Sequence, residues 1–231
     1  ALAAGCTMVM KPAEQTPLTA LAIAEACLEA ELPPGVFNVV TGEPQAIGEV
    51  FLGDERVRKI SFTGSTEVGR LLLRGAAEQI KRTSMELGGN APVILFADCD
   101  LDKAVFALSM LKFLNAGQAC ISANRIYVER PILEAVAERL TARAEALTLG
   151  SGLEEGVTMG PLIEPSARDK VARLVADALE RGATPLTGGT APEGAAYAKG
   201  NYYAPTVLTG GTPEMPVVSE EVFGPVASLL P

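Results

Sequence analysis

The sequence predicts an α/β protein built on parallel strands and arranged as two successive α/β portions. Three observations predict it. Short apolar segments bounded by Gly or Pro alternate with longer stretches whose apolar residues recur at helical spacing. The strand-like segments are apolar on both faces, as in a sheet covered by helices on each side. The texture then breaks once, at Gly88-Gly89, which separates residues 1–87 from residues 88–231.

The first portion reads strand–helix three times over. ALAAGCTMVMK starts as a helix end or loop and runs into a strand at TMVMK (7–11). Thr16-Pro17 suggests an N-cap followed by Pro at the first helical position. LTALAIAEACLEAEL carries the helix, and Pro33-Pro34-Gly35 ends it. VFNVVTG (36–42) is a second strand, PQAIGEVFLG a short helix and KISFTG (59–64) a third strand. STEVGRLLLRGAAEQI (65–80) is helical, with Ser65 or Thr66 as its cap.

The second portion repeats the alternation. APVILF (91–96) is a buried strand, and Asp100 caps a helix expected to run through LDKAVFALSMLKFLNAG to Gly117. NRIYVE (124–129) is a strand. PILEAVAERLTARAEAL (131–147) starts with Pro and places Leu133, Val136, Ala137, Leu140, Ala144 and Leu147 on one face. ARDKVARLVADALERGA (167–183) repeats that pattern, PLTGG and YYAPTVL are later strands, and GPVASLLP starts another.

The bulk properties narrow the function. A net charge of −9 argues against nucleic acid and against an anionic membrane surface as partners. The chain has no histidine, and its four cysteines form no CxxC pair. That removes most zinc sites and the Cys-His and Ser-His-Asp nucleophiles, so no metal is expected. Scattered single cysteines suit a reducing compartment, which points to the cytoplasm. The first residue is Ala1 and the last ones read as an opening strand. The chain is therefore expected to be an internal piece of a longer protein, inactive and poorly soluble alone because sheet edges would be uncovered.

Two segments carry candidate chemistry. In NAGQACISANR (115–125) Cys120 follows small residues that let a ligand approach and leave a thiol reachable. In MELGGN (85–90) Glu86 ends an apolar strand beside a flexible glycine turn. Taken alone, Cys120 fits a structural cysteine slightly better than a catalytic one, and Glu86 fits a solvated strand end equally well. Were both to face one cleft, they would suit covalent catalysis with a water-activating base and no histidine. GSTEVG lacks the GxGxxG spacing of a dinucleotide fingerprint.

KPAEQTP (11–17), PPGVFNVVTG (33–42), SFTGSTEVGR (61–70), MELGGN, NAGQACISANR, TMGPLI (158–163) and SEEVFGPV (219–226) together closely resemble the aldehyde dehydrogenase superfamily. The wording of ELGGN, NAGQAC and SANRIYV is most similar to its succinate-semialdehyde dehydrogenase branch. The resemblance implies an aldehyde dehydrogenase-like fold, with residues 1–87 as part of a Rossmann-type NAD-binding domain. Residues 88–231 would be a catalytic domain, incomplete at its C-terminal end. It assigns Cys120 as nucleophile and Glu86 as general base. Lys11 and Glu14 would hold the adenosine ribose. Gly64 and Ser65 would open the helix whose N-terminus faces the pyrophosphate. Glu221 would bind the nicotinamide ribose and Phe223 would pack near the nicotinamide. The implied reaction is oxidation of a small-molecule aldehyde to a carboxylic acid through a thiohemiacetal and a thioester. Succinate semialdehyde is the branch substrate, and the oligomer is a homodimer or homotetramer.

Glu14 favours NAD over NADP, because a carboxylate repels a 2′-phosphate by about 1 kcal/mol or more near 4 Å. Leu114 departs from the branch pattern, which has a carboxylate-binding arginine six residues before the nucleophile. It favours uncharged aliphatic or aromatic aldehydes. Ser122 replaces the branch's second cysteine, so no disulfide partner for Cys120 stands there. A non-catalytic nucleotide-binding relative and a cofactor-free thiol hydrolase are the rival readings.

Overall fold

The computed structural model describes residues 1–231, which divide into two compact units, Ala1–Leu87 and Gly88–Pro231. The first unit contains two separate parallel ladders. β1 (Met8–Met10) pairs with β2 (Phe37–Val39), and β3 (Lys59–Gly64) pairs with β4 (Arg82–Leu87). The helices α1 (Leu18–Glu29), α2 (Pro44–Gly53) and α3 (Thr66–Ala77) link these strands. The parallel direction follows from the helical crossovers, since only a long connection returns a strand to the same sense.

Few apolar side chains are covered in this unit. Ala20, Ile60 and Ala76 are its buried hydrophobic residues, while Leu18, Leu28, Leu71 and Ile80 are exposed. The expected cap of α1 is not formed. Pro17 stands at the N-cap in helical conformation without a side-chain bond, and Leu18 is the first helical residue. Proline's fixed φ already matches the helix there, so Thr16 stays outside it.

The second unit is a five-stranded sheet in the order β5-β6-β9-β8-β7. Its strands are β5 (Pro92–Leu95), β6 (Arg125–Val128), β7 (Thr184–Thr187), β8 (Thr206–Thr209) and β9 (Val226–Leu230). All neighbours are parallel except β7, which runs antiparallel to β8 at the edge. The helices α4 (Leu101–Phe113) and α5 (Arg130–Glu145) pack on one another, and α5 also packs on the sheet. The helices α6 (Pro165–Glu180) and α7 (Pro216–Ser219) pack together. The alternating apolar face of α5 becomes core, with Val136, Ala137, Leu140 and Ala144 buried, and β9 is buried along its whole length. No helix of the protein is long and apolar enough to cross a membrane.

One expected boundary in this unit is wrong. The helix thought to reach Gly117 stops at Phe113. The next residues, Asn115, Ala116 and Gly117, all take left-handed φ values of 53°, 55° and 74°. Three consecutive left-handed residues cannot continue a right-handed helix, and the non-glycine ones store strain. The apolar periodicity runs past the point where the backbone turns, which is why it misleads.

Candidate active site

Within the first unit, the candidate residues cluster at the carboxyl ends of the strands, where parallel sheets present ligands. Lys11 directly follows β1, and its ammonium pairs with Glu14 Oε1. A hollow of about 300 Å³ opens there, lined by Pro12, Glu14, Thr41, Gly42 and Glu43, so residues following both β1 and β2 shape it. Gly64 ends β3, and Ser65 caps α3 by accepting a hydrogen bond from the Val68 N–H at 3.3 Å. That bond uses one of the four amides a helix leaves unpaired at its start, and the others remain available to an anion. Glu86 lies on β4 opposite Thr63, exposed, with the strand continuing one residue further to Leu87. The ladder therefore brings Glu86 beside the Gly64-Ser65 turn.

Cys120, in the second unit, is an exposed free thiol at the end of the left-handed turn. The turn is braced by its own amides. The Asn115 side chain donates to Gln118 O at 3.0 Å, and the Gln118 side chain donates to Asn115 O at 2.9 Å. Gln118 Oε1 also accepts from the Ile163 N–H at 2.9 Å, which fastens the turn to the TMGPLI segment. A side chain at Gly117 would overlap the Gly224 carbonyl and stand 3.0 Å from Lys112 O. Glycine is required there by both its conformation and this contact.

Gly224 belongs to the second candidate loop, and α6 closes over it. A side chain at that position would run into Val171. Phe223 is 39% exposed and takes a left-handed φ of 53°, a strained conformation for a bulky residue. The Glu221 carboxylate accepts a hydrogen bond from the Gly89 N–H at 3.1 Å, and its Oε2 lies against Gly88. The unit thus gathers Cys120's turn, the Glu221–Gly224 loop and the ELGGN glycines. Glu86 falls in the first unit and Cys120 in the second.

Sequence reasoning passed over several residues that build this site. Asn90 donates to Val218 O at 2.9 Å and to Ser219 O at 3.0 Å. Asn124 donates to Asn90 Oδ1 and Glu220 O, at 2.7 and 2.8 Å. Arg125 grips Asn90 O with Nε and Nη2, at 3.0 and 2.7 Å. Lys170 donates to Glu221 O at 2.6 Å. Asn90, Asn124 and Arg125 sit inside the quoted motifs, and that was the available signal. Lys112 is 1% exposed at the end of α4. Burial pushes its ammonium down to about 7, and the Glu221 carboxylate pulls the other way. No group of His, Cys, Asp or Glu side chains gathers that could hold a metal ion.

The arrangement can present a reachable thiol on a rigid turn beside a carboxylate loop. The comparisons with known proteins agree with a single family. The model of the aldehyde dehydrogenase family matches residues 1–231. The chain is 53% identical to a 3-sulfolactaldehyde dehydrogenase of Pseudomonas putida, covering 99% of this chain and 46% of that protein. It is 52% identical to a succinate-semialdehyde dehydrogenase [NADP(+)] of Escherichia coli, covering 99% of this chain and 47% of that one. The crystal structure of a succinate-semialdehyde dehydrogenase from Burkholderia pseudomallei is similar with a TM-score of 0.96 at 47% identity, over 100% of this chain and 47% of that chain. The chain thus spans about half the length of the curated relatives it matches.

Proposed function

The chain belongs to the aldehyde dehydrogenase family, and on that premise we propose that the whole protein oxidises an aldehyde to a carboxylic acid on Cys120. The observation that carries the reading is the exposed thiol on a braced, strained turn packed against the loop of Glu221 and Phe223. The Cys120 thiolate attacks the aldehyde carbon, and the Cys120 backbone N–H stabilises the oxyanion that forms. Loss of hydride from that carbon leaves a thioester on Cys120. Glu86 then takes a proton from water, and the attacking water oxygen releases the acid and restores the thiol.

A bound nicotinamide cofactor would supply the hydride acceptor. The residues present fit it. Glu14 lines a hollow outside β1 and β2, the start of α3 offers amides to a pyrophosphate, and Glu221 offers a carboxylate to a ribose. NAD is favoured over NADP by the Glu14 carboxylate. The ion pair with Lys11 softens that preference, and the Escherichia coli relative is named for NADP(+).

The substrate class has two readings. The relatives' names favour an aldehyde that also carries an acidic group. Leu114, 66% exposed and six residues before Cys120, offers no charge to such a group. It favours an uncharged aliphatic or aromatic aldehyde instead.

The test mixes the whole protein with NAD or NADP and an aldehyde panel that includes succinate semialdehyde, and follows the reduced cofactor. Turnover lost in Cys120→Ala, and a single burst that stalls as a thioester in Glu86→Gln, are the expected results. Ester cleavage with no aldehyde turnover, or cofactor binding with neither, in the unaltered protein would replace this reading with a thiol hydrolase or a non-catalytic relative.

A further inference from the structure

A carboxylate presented on a loop is only as well placed as its backbone, and the backbone around Glu221 is held on three sides. Asn124 is 3% exposed and lies in the segment that leads from Cys120 into β6. Its amide orientation is set by its surroundings. Nδ2 faces two oxygens, Asn90 Oδ1 and Glu220 O, while Oδ1 accepts from the Val222 N–H at 3.1 Å. Asn124 therefore clamps the peptide groups immediately before and after Glu221. Lys170, half-buried on α6, takes the remaining carbonyl, that of Glu221 itself. Asn90 steadies the clamp, because its own Nδ2 is committed to Val218 O and Ser219 O and leaves only Oδ1 for Asn124. With the backbone fixed, the carboxylate stands at Gly89 N–H rather than sampling solvent.

We propose that Asn124 and Lys170 are positioning residues that act through Glu221, holding its backbone so that the carboxylate is pre-set to accept the hydroxyls of a cofactor ribose. The proposal rests on the reading of Glu221 as a cofactor ligand. It adds that the segment following the nucleophile and the helix α6 set the affinity of a residue neither of them carries. An Asn124→Asp change would turn two donors into acceptors facing oxygens, so it cannot substitute.

The experiment measures NAD affinity of the whole protein by calorimetry, alongside the melting temperature and the rate at which iodoacetamide alkylates Cys120 without cofactor. The variants are Asn124→Ala, Asn124→Ser, Lys170→Met and Glu221→Gln, with each of the first three also combined with Glu221→Gln. Each single change is expected to weaken NAD binding about tenfold. Adding Glu221→Gln to Asn124→Ala or Lys170→Met should then cost less than about twofold more, because the carboxylate is already displaced. Alkylation of Cys120 should stay within about twofold, which a general loosening of the fold would not allow. Fold-changes that multiply in the double variants, or unaltered NAD affinity in Lys170→Met, would overturn the proposal. Should the Asn124 variants not fold, Lys170→Met alone decides it, since its ammonium contacts only the loop's outer carbonyl. A Glu221→Gln protein that binds NAD as well as the unaltered one would instead refute Glu221 as a ligand, a separate failure.

Discussion

Gly117 and Gly224 approach so closely that no side chain fits between them, the α-carbon of one facing the carbonyl of the other. This contact joins the turn before Cys120 to the loop that carries Glu221 and Phe223. Gly117 also has a φ of 74°, where alanine is strained. Gly117→Ala is therefore expected to lose about 1–3 kcal/mol of stability, and more if the backbone cannot shift. Chemical denaturation reads the loss. Alkylation of Cys120 in the same variant should change severalfold, because the turn must move to admit the methyl group.

Gln118 holds the turn from the other side. Gln118→Ala removes both the acceptor for the Ile163 N–H and the donor to Asn115 O. A loss of about 1–2 kcal/mol is expected, with kcat falling more than KM rises. Gln118→Glu keeps the acceptor and loses the donor, so it should fall between. Burst kinetics with a fast aldehyde substrate would rank the three proteins, and an unchanged burst in Gln118→Ala would show that the brace is dispensable.

Lys112 gives stability a pH dependence that can be signed. Burial lowers its folded-state value from 10.5 to about 7. Between those values the unfolded chain binds more protons than the folded one, so stability from this group rises with pH across that window. Below pH 7 the group is charged in both states, and the cost of burying it is present in full, on the order of several kcal/mol. Lys112→Met should raise the melting temperature at pH 6, with a gain that shrinks steadily toward pH 10. A gain independent of pH would mean that the lysine finds water or a partner that keeps it charged at no cost.

On the proposed function, Glu14 would bear on cofactor choice. Glu14→Gln removes the negative charge proposed to face a 2′-phosphate while keeping the side chain's length. The preference for NAD over NADP should narrow severalfold, in keeping with about 1 kcal/mol of repulsion near 4 Å. The ratio of kcat/KM values for the two cofactors measures it, and an unaltered ratio would remove Glu14 from the discrimination.

Much of the fold was legible because local chemistry states it. Ser65 and Asp100 cap α3 and α4 as their positions before apolar periodic runs suggest, the Asp100 side chain accepting from the Lys103 N–H at 3.2 Å. KISFTG becomes β3 residue for residue. The misreadings have physical causes. The end of α4 was overrun because Leu114 and Ala116 extend the apolar pattern while the backbone reverses hand. The hold on Glu221 was invisible because its hydrogen bonds span 51 to 132 residues and leave no local signature. Lys112 shares a helical face with the buried Val105 and Leu108, but α4 is apolar on nearly every side, so the periodicity does not single that face out as the covered one. The roles of Cys120 and Glu86 were suggested by motif wording, and biochemistry on the whole protein decides them.

The parallel register of β3 and β4, with Thr63 opposite Glu86 and Gly64 opposite Leu87, leads to one last expectation. Side chains alternate across a strand with a period of two. Deleting a single codon within Arg82–Met85 would shift the pairing by one step and send the Glu86 carboxyl to the opposite face of the ladder. In a library of random variants this stretch should therefore absorb many conservative replacements, yet reject one-residue insertions and deletions.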